Sequence, residues 1–211
     1  MDENENATIP QAETPAGTSP AGDKVLFGLE NVTIFPKTGE NAWGDPIEIP
    51  GAINLALNPS GSTNALFADN KKYFNSIANT GWEGDLEMVM FPDEFYIAAL
   101  GWKHDDRGGL VEVSDAVPKP FALAFEVSGD VHKRRVVFYE CTATRPASEA
   151  KTTEDTTTPQ TQKSTVTAVP VKFPKVTTAR YVLPASTDDK TSFDGFYESV
   201  VMPKFEAETA A

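Results

Sequence analysis

This sequence holds very little from which covalent or metal chemistry is built. One cysteine, Cys141, among 211 residues excludes an internal disulfide and a cysteine-based zinc site. Such sparing use fits a chain made in a reducing cytoplasm. There are two histidines, His104 and His132, and neither belongs to a recognisable set. No GxSxG, HExxH or glycine-rich phosphate loop occurs. No apolar run approaches the ~18 residues of a membrane span, and no charged-then-apolar leader opens the chain, so neither a span nor a signal peptide is expected. Positive charge is scarce as well. Eighteen Lys and Arg against 31 Asp and Glu leave a net charge of −13, which argues against a protein that grips nucleic acid by displacing counterions from phosphates.

What is present is enough apolar residue, 40% of the chain, for a sizeable core. The length allows one large or two small domains. Residues 1–23 form an acidic arm of Asn, Glu, Thr, Pro, Ala and Gly with almost no bulky side chains, too poor in apolar surface to offset its ordering entropy. Disorder is expected there and in the tail 204–211, around a single domain over 24–203. Residues 147–162 are a low-complexity run of Thr, Ser, Glu, Lys and Gln, expected to be a mobile loop or the tip of a hairpin.

The informative stretch is 64–100. Its short apolar runs, 65–67 and 73–77, are separated by Asp69-Asn70, and the second ends at Asn79-Thr80-Gly81; both breaks read as turns. From Trp82 the chain alternates. Trp82, Gly84, Leu86, Met88 and Met90 fall on one face, and Glu83, Asp85, Glu87, Val89 and Phe91 on the other, the pattern of a strand buried on one side. Pro92-Asp93 then opens a helix of about two turns, with Phe95, Ile97, Ala98 and Leu100 apolar and Gly101 as its stop.

Elsewhere, 24–34 reads as an edge strand broken near Gly28, and 38–46 as a loop holding Trp43. Residues 47–57 read as one long strand bent at Pro50-Gly51, ended by a turn at 58–62. A short strand at 110–113 precedes a hairpin of 121–127 with 134–142. Further strands follow near 166–173 and at 180–183, with a second helix over 192–201. Seven or eight strands and two short helices, without βαβ alternation, predict a mainly β protein: an antiparallel sandwich or barrel with helices on one flank.

The candidate chemistry has bland readings. His104, Asp105 and Asp106 suggest a metal or acid–base cluster, but adjacent carboxylates point different ways and a solvated loop explains them. His132 beside Lys133, Arg134 and Arg135 reads as a charged strand end. Cys141 alternates with Val137 and Tyr139, which makes it core-facing and inert. Glu83, Asp85 and Glu87 stand out, because three like charges in a row on one strand face repel one another. An exposed sheet face accounts for them; so does the wall of a water-filled channel.

Several stretches together resemble one family. They are Ile49-Pro50-Gly51-Ala52 followed by Leu55 and Leu57; Phe67-Ala68-Asp69-Asn70 with Tyr73-Phe74; and NTGWEGDLE at 79–87. Then come KPFALAFEVSG at 119–129, VFYECTATRP at 137–146, and Phe196-Tyr197-Glu198-Ser199-Val200 before Pro203. In this order they resemble the major tail proteins, or tail tube proteins, of long non-contractile-tailed phages of Gram-positive hosts. The N-terminal arm is longer than the family pattern, and Glu140 stands where Asn more usually precedes the cysteine.

The resemblance implies a non-enzymatic virion protein without a cofactor: a β-sandwich flanked by a helix that forms homohexameric rings. Those rings stack into the tube through which DNA is ejected, without specific DNA binding and without a membrane. It implies that Glu83, Asp85 and Glu87 contribute to an acidic lumen wall. It also implies that Trp43, Thr152, Glu154 and Asp155 lie in loops contacting neighbouring subunits or rings, ordering on assembly. The implied partners are further copies of the chain, a tape measure protein, a tail terminator and baseplate or distal tail proteins, with assembly in the host cytoplasm. The competing reading is a β-sandwich carbohydrate-binding or capsid-decoration module, with Trp43, Trp82 and Trp102 as sugar platforms. Trp82 shares a face with Leu86 and Met88, which places it in the core instead.

Overall fold

A computed structural model describes residues 28–68, 71–149, 152 and 160–205, with the backbone alone for 62–77. Thirteen strands occur among them: β1 Leu29–Gly39, β2 Ala42–Trp43, β3 Ile47–Glu48, β4 Ala52–Ala68, β5 Lys71–Met88, β6 Lys103–His104, β7 Leu110–Val111, β8 Phe121–Val127, β9 Arg135–Ala143, β10 Gln162–Val169, β11 Val171–Lys172, β12 Thr177–Thr178 and β13 Arg180–Leu183. Helix α1 is Asp93–Leu100, and α2, Lys190–Asp194, runs into a 3₁₀ turn at Gly195–Tyr197. The mainly β, antiparallel class expected from the sequence holds.

The main sheet runs β2-β1-β8-β9-β10-β5-β4, with β3 on β1 and β13 on β9. It also closes on itself. β3 pairs with β1, and the Ile49 N–H donates to Val32 O at 2.8 Å. Two residues later Gly51 O accepts from Val89 N at 2.9 Å, and Ala52 pairs with Met88. The segment bent at Pro50-Gly51 thus bridges β1 to β5, with Gly51 at φ +90°, a backbone region open to glycine. Both ends of the sheet then share one interior. Val32, Ile34, Leu86, Met88, Leu123 and Phe138 fill it, and Phe95, Ala99 and Leu100 of α1 seal one end. Each large apolar side chain so buried contributes about 1.5–3 kcal/mol.

Only part of the outer wall is covered. Over β1, β8 and β9, Phe35, Ala122, Ala124, Val137 and Tyr139 meet Val171, Phe173, Leu183 and Phe196 in a second core. Ala122 and Ala124 leave room for this layer, and the Tyr139 hydroxyl ties it down by donating to Val201 O at 2.9 Å. Arg135 clamps the α2 flank, lying 4.1 Å from the Phe193 ring centroid and bonded to Glu126 at 3.2 Å. The outer faces of β10, β5 and β4 receive no such cover among the described residues.

Helix α1 matches the sequence reading. Gly101 adopts φ 75°, and the Trp102 N–H reaches back to Tyr96 O at 3.1 Å, closing the helix end. Elsewhere tertiary pairing displaces local expectation. The turns expected at 58–62 and 79–81 are strand: Asn58 pairs with Glu83, Ser60 with Gly81 and Ser62 with Ala78, and their turn-forming residues accommodate a register shift at Ser60/Gly61 instead. β1 is not an edge strand, since β8 lies on one side and β2 and β3 on the other. The expected loop at 38–46 is a hairpin onto β1, turning at Asn41 with φ 53°. Alternation stops at Met88: Phe91 turns inward to stack on Phe95, while Met90 is exposed.

Cys141 is fully buried but on the opposite face from Val137 and Tyr139. β8 residues Phe121 and Leu123 pair with Cys141 and Phe138, so β9 carries one extra residue there and its parity flips. The 110–113 strand shortens to β7, paired with β6. The second helix starts two residues earlier than expected, because the Asp189 carboxylate caps the Ser192 N–H at 3.0 Å. The parts of the expectations that concern 1–27, Asp69-Asn70, 150–151, 153–159 and 206–211 fall outside the described residues.

Gly84 tests the β4–β5 register. A Cβ there would stand 1.7 Å from Ala56 O, so Gly84→Ala must push β4 aside, at a cost of roughly 1–3 kcal/mol. Thermal unfolding should show a lower melting temperature; an unchanged one contradicts the register.

Candidate functional site

The uncovered half of the wall is built row by row from three strands. Across β4, β5 and β10 the rows read Asn54–Glu87–Lys163, Ala56–Asp85–Thr165 and Asn58–Glu83–Thr167. Directly paired residues project to the same face, so all nine line one surface. The three carboxylates recur every second residue of β5, about 7 Å apart. Inward-facing Leu86 and Met88, both fully buried, fix their outward direction.

Hydroxyls and one ammonium hold this row. Thr165 Oγ1 donates to Asp85 Oδ1 at 3.0 Å, and Thr161 Oγ1 to Glu87 Oε1 at 2.6 Å. Lys163 Nζ approaches Glu87 Oε2 at 3.4 Å. The Thr161 hydrogen bond, opposed by some desolvation and aided by Lys163, holds the Glu87 carboxyl below its ordinary value. Glu83 and Asp85 are exposed. Three carboxylates against one cation make the face acidic, and β4 adds only the neutral Asn54, Ala56 and Asn58 to it.

Below these rows the β4–β5 hairpin continues alone. β10 accompanies β5 only from Trp82 to Met88. Among the described residues, 60–68 and 71–81 have strand partners only in each other, from Ser60↔Gly81 to Ala68↔Lys71. Nine residues at ~3.3 Å each give an arm of roughly 30 Å. Both its edges lack a strand partner among the described residues, as does the outer edge of β4 beside the acidic rows. Sequence reading missed this arm. The signal is two runs placed symmetrically about Asp69-Asn70, but the glycines and asparagines at the base of the arm carry turn propensity that hides its continuation.

The remaining candidates fall apart in space. Trp43 packs within its own chain: its Nε1 donates to Tyr139 O at 3.1 Å, and the two rings lie 5.8 Å apart. Thr152 is exposed, and Glu154 and Asp155 lie outside the described residues. Trp82 meets Phe138 edge-on at 5.6 Å, and Trp102 lies on Tyr96 at 4.6 Å, so each tryptophan is engaged with its own chain and the three form no common platform. Asp105 Oδ1 accepts from the backbone of Arg107 and Gly109, a self-contained loop. The Asp130 carboxylate, near His132, is held low by Arg134, whose Nε donates to it at 2.5 Å. Burial pushes the Cys141 thiol far up, away from the thiolate a nucleophile needs. Among the described residues no three His, Cys, Asp or Glu side chains group as a metal site, and no helix is long and apolar enough to cross a membrane.

No family model matches the chain, and no curated protein matches it. Two chains among solved structures do. One is the anti-feeding prophage cap, a tube terminating cap determined by cryo-EM, 10% identical over 88% of this chain and 97% of that chain, with a TM-score of 0.37. Similarity at this level carries no argument.

The Glu87 contacts have a consequence with pH. A depressed folded value means that their contribution to stability is present above the ordinary value near 4.5 and is lost as pH falls through the lower folded one. Carboxyl NMR titration should give Glu87 a midpoint below 4.5 that rises in Thr161→Val. A midpoint indifferent to that substitution contradicts the assigned bond.

Proposed function

We propose that this chain is a structural virion protein, the subunit of a phage-type tail tube. It forms hexameric rings that stack into the conduit for DNA ejection. The observation that carries the reading is the conjunction of an uncovered acidic sheet face with a hairpin arm whose backbone edges are open. It is supported by the ordered set of sequence stretches resembling the tail tube family, which includes NTGWEGDLE on β5 itself.

The physics runs from edges to assembly. Unpaired N–H and C=O groups along β4 template pairing with another chain, and a two-stranded ribbon gains stability from further strands. A contact between one surface and a different surface of the next copy closes into a ring or propagates as a filament, according to its rotation. In a ring of six, each of Glu83, Asp85 and Glu87 becomes a circle of six carboxylates. Such a lumen repels phosphate, whereas a basic wall would hold DNA and slow its passage. The tube reading brings with it a tape measure protein inside the growing tube, terminator and distal tail proteins at its ends, and no catalysis.

Concentrated pure protein, imaged by negative stain, should show rings or tubes. Changing Glu83, Asp85 and Glu87 together to Lys in a phage carrying this subunit should leave tubes formed but reduce DNA delivery. Normal delivery through such tubes removes the lumen assignment, and monodisperse globules at every concentration remove the tube.

A further inference from the structure

Two features, at opposite ends of the part of β5 that β10 accompanies, lack partners among the described residues. Where the arm leaves the barrel, Trp82, Pro59, Pro170, Thr177 and Arg180 line a cavity of about 420 Å³. The Arg180 guanidinium lies 5.4 Å from the Trp82 ring centroid and 5.8 Å from that of Phe138. It makes no ion pair among the described residues. Partial burial first, and then the like charge of Arg134, lower its pKa. Arg180 is itself an exposed residue, held over two aromatic faces by cation–π contact.

At the other end, where β5 gives way to α1, Val89 and Met90 are 57% and 68% exposed, and Ile53 beside them is 48% exposed. Three residues on, Asp93 and Glu94 stand exposed in the first turn of α1, also without an ion pair among the described residues. One end therefore offers a hollow of mixed lining, in which Trp82 and two prolines stand among Ser60, Asn79, Thr177 and Thr178 beside a cation, and the other an apolar projection with two carboxylates. Residue 89 follows directly on the end of β5 and lies seven residues from 82, roughly 23 Å at ~3.3 Å per residue. A single chain cannot join them.

We propose that the Val89–Met90 projection of one copy, with its Asp93 and Glu94, seats in the Arg180 cavity of the next copy. The proposal rests on the tube reading and adds the residues and polarity of the contact between successive copies. Met90, unbranched and polarizable, suits an irregular hollow walled by tryptophan and proline. Arg180 supplies planar donors for a carboxylate. Plug and socket lie on different surfaces, so the contact is head-to-tail and repeats.

The test uses the full chain, assembled by concentration and followed by sedimentation velocity and negative-stain microscopy. Arg180→Glu, and Asp93→Lys with Glu94→Lys, should each raise the concentration needed for stacking roughly tenfold or more. All three changes together should largely restore it. Arg180→Gln, which removes the charge without reversing it, should have a smaller effect of the same sign, and Met90→Asp should weaken stacking on its own. Thermal melts establish that each variant is folded. Wild-type stacking by folded Arg180→Glu, or folded charge-reversed variants whose combination recovers nothing, overturns the contact alone. A wild-type protein that never stacks overturns the tube reading and this contact with it.

Discussion

A backbone edge with unpaired N–H and C=O groups is the constraint on which the rest of this molecule turns. Such an edge attracts any compatible strand, and proteins that remain single blunt it with charge, proline, bulges or a covering element. β4 runs from Ala52 to Ala68 with β5 on one side and no strand on the other among the described residues. Pro59 and the irregularities near Ile53, Ser60 and Leu66 interrupt it without covering it. The barrel closes through the short segment 47–52, where β3 pairs with β1, the Val32–Ile49 and Gly51–Val89 hydrogen bonds follow, and Ala52 pairs with Met88. Beyond that segment the sheet is open.

The division of the outer wall follows from composition. Ala122 and Ala124 on β8 are small and apolar, so a layer containing Phe173, Leu183 and Phe196 can lie close upon them. Glu83, Asp85, Glu87, Lys163 and Thr165 occupy the corresponding outward positions on β5 and β10, where burial under a hydrophobic layer would strand charges without water. The same interior, made by Leu86, Met88, Val166 and Ala168, serves both halves. One side of the barrel is thus finished within the chain. On the proposed reading the other is finished by neighbouring copies and the water of a lumen.

Much of this was legible in the sequence, and the failures share a cause. The strict alternation from Trp82 to Met88 identified both faces of β5, and Gly101 ended α1 where its left-handed conformation puts the stop. Local turn propensity misled at Asn58, Gly61, Asn79 and Gly81, because pairing across a long hairpin outweighs the preference of any single residue for a turn. Cys141 is core-facing as expected, but on the opposite face from Val137 and Tyr139, because an inserted residue in β9 is invisible to a period-two count. Trp43 read as a loop residue because the two-residue strand that anchors it to Tyr139 is too short to leave a periodic signal. In the sequence Arg180 is only the start of a short strand, since Trp82 and Pro59, which share its cavity, are far from it along the chain.

Amide hydrogen exchange, compared between dilute protein and protein concentrated until it assembles, tests most directly whether neighbouring copies complete the open edge. Residues 52–68 of β4 and 71–81 of β5 should gain protection on assembly, while β8 and β9, already paired on both sides, stay as they were. Assembled protein in which β4 and the arm exchange as fast as in the dilute state would contradict the central claim.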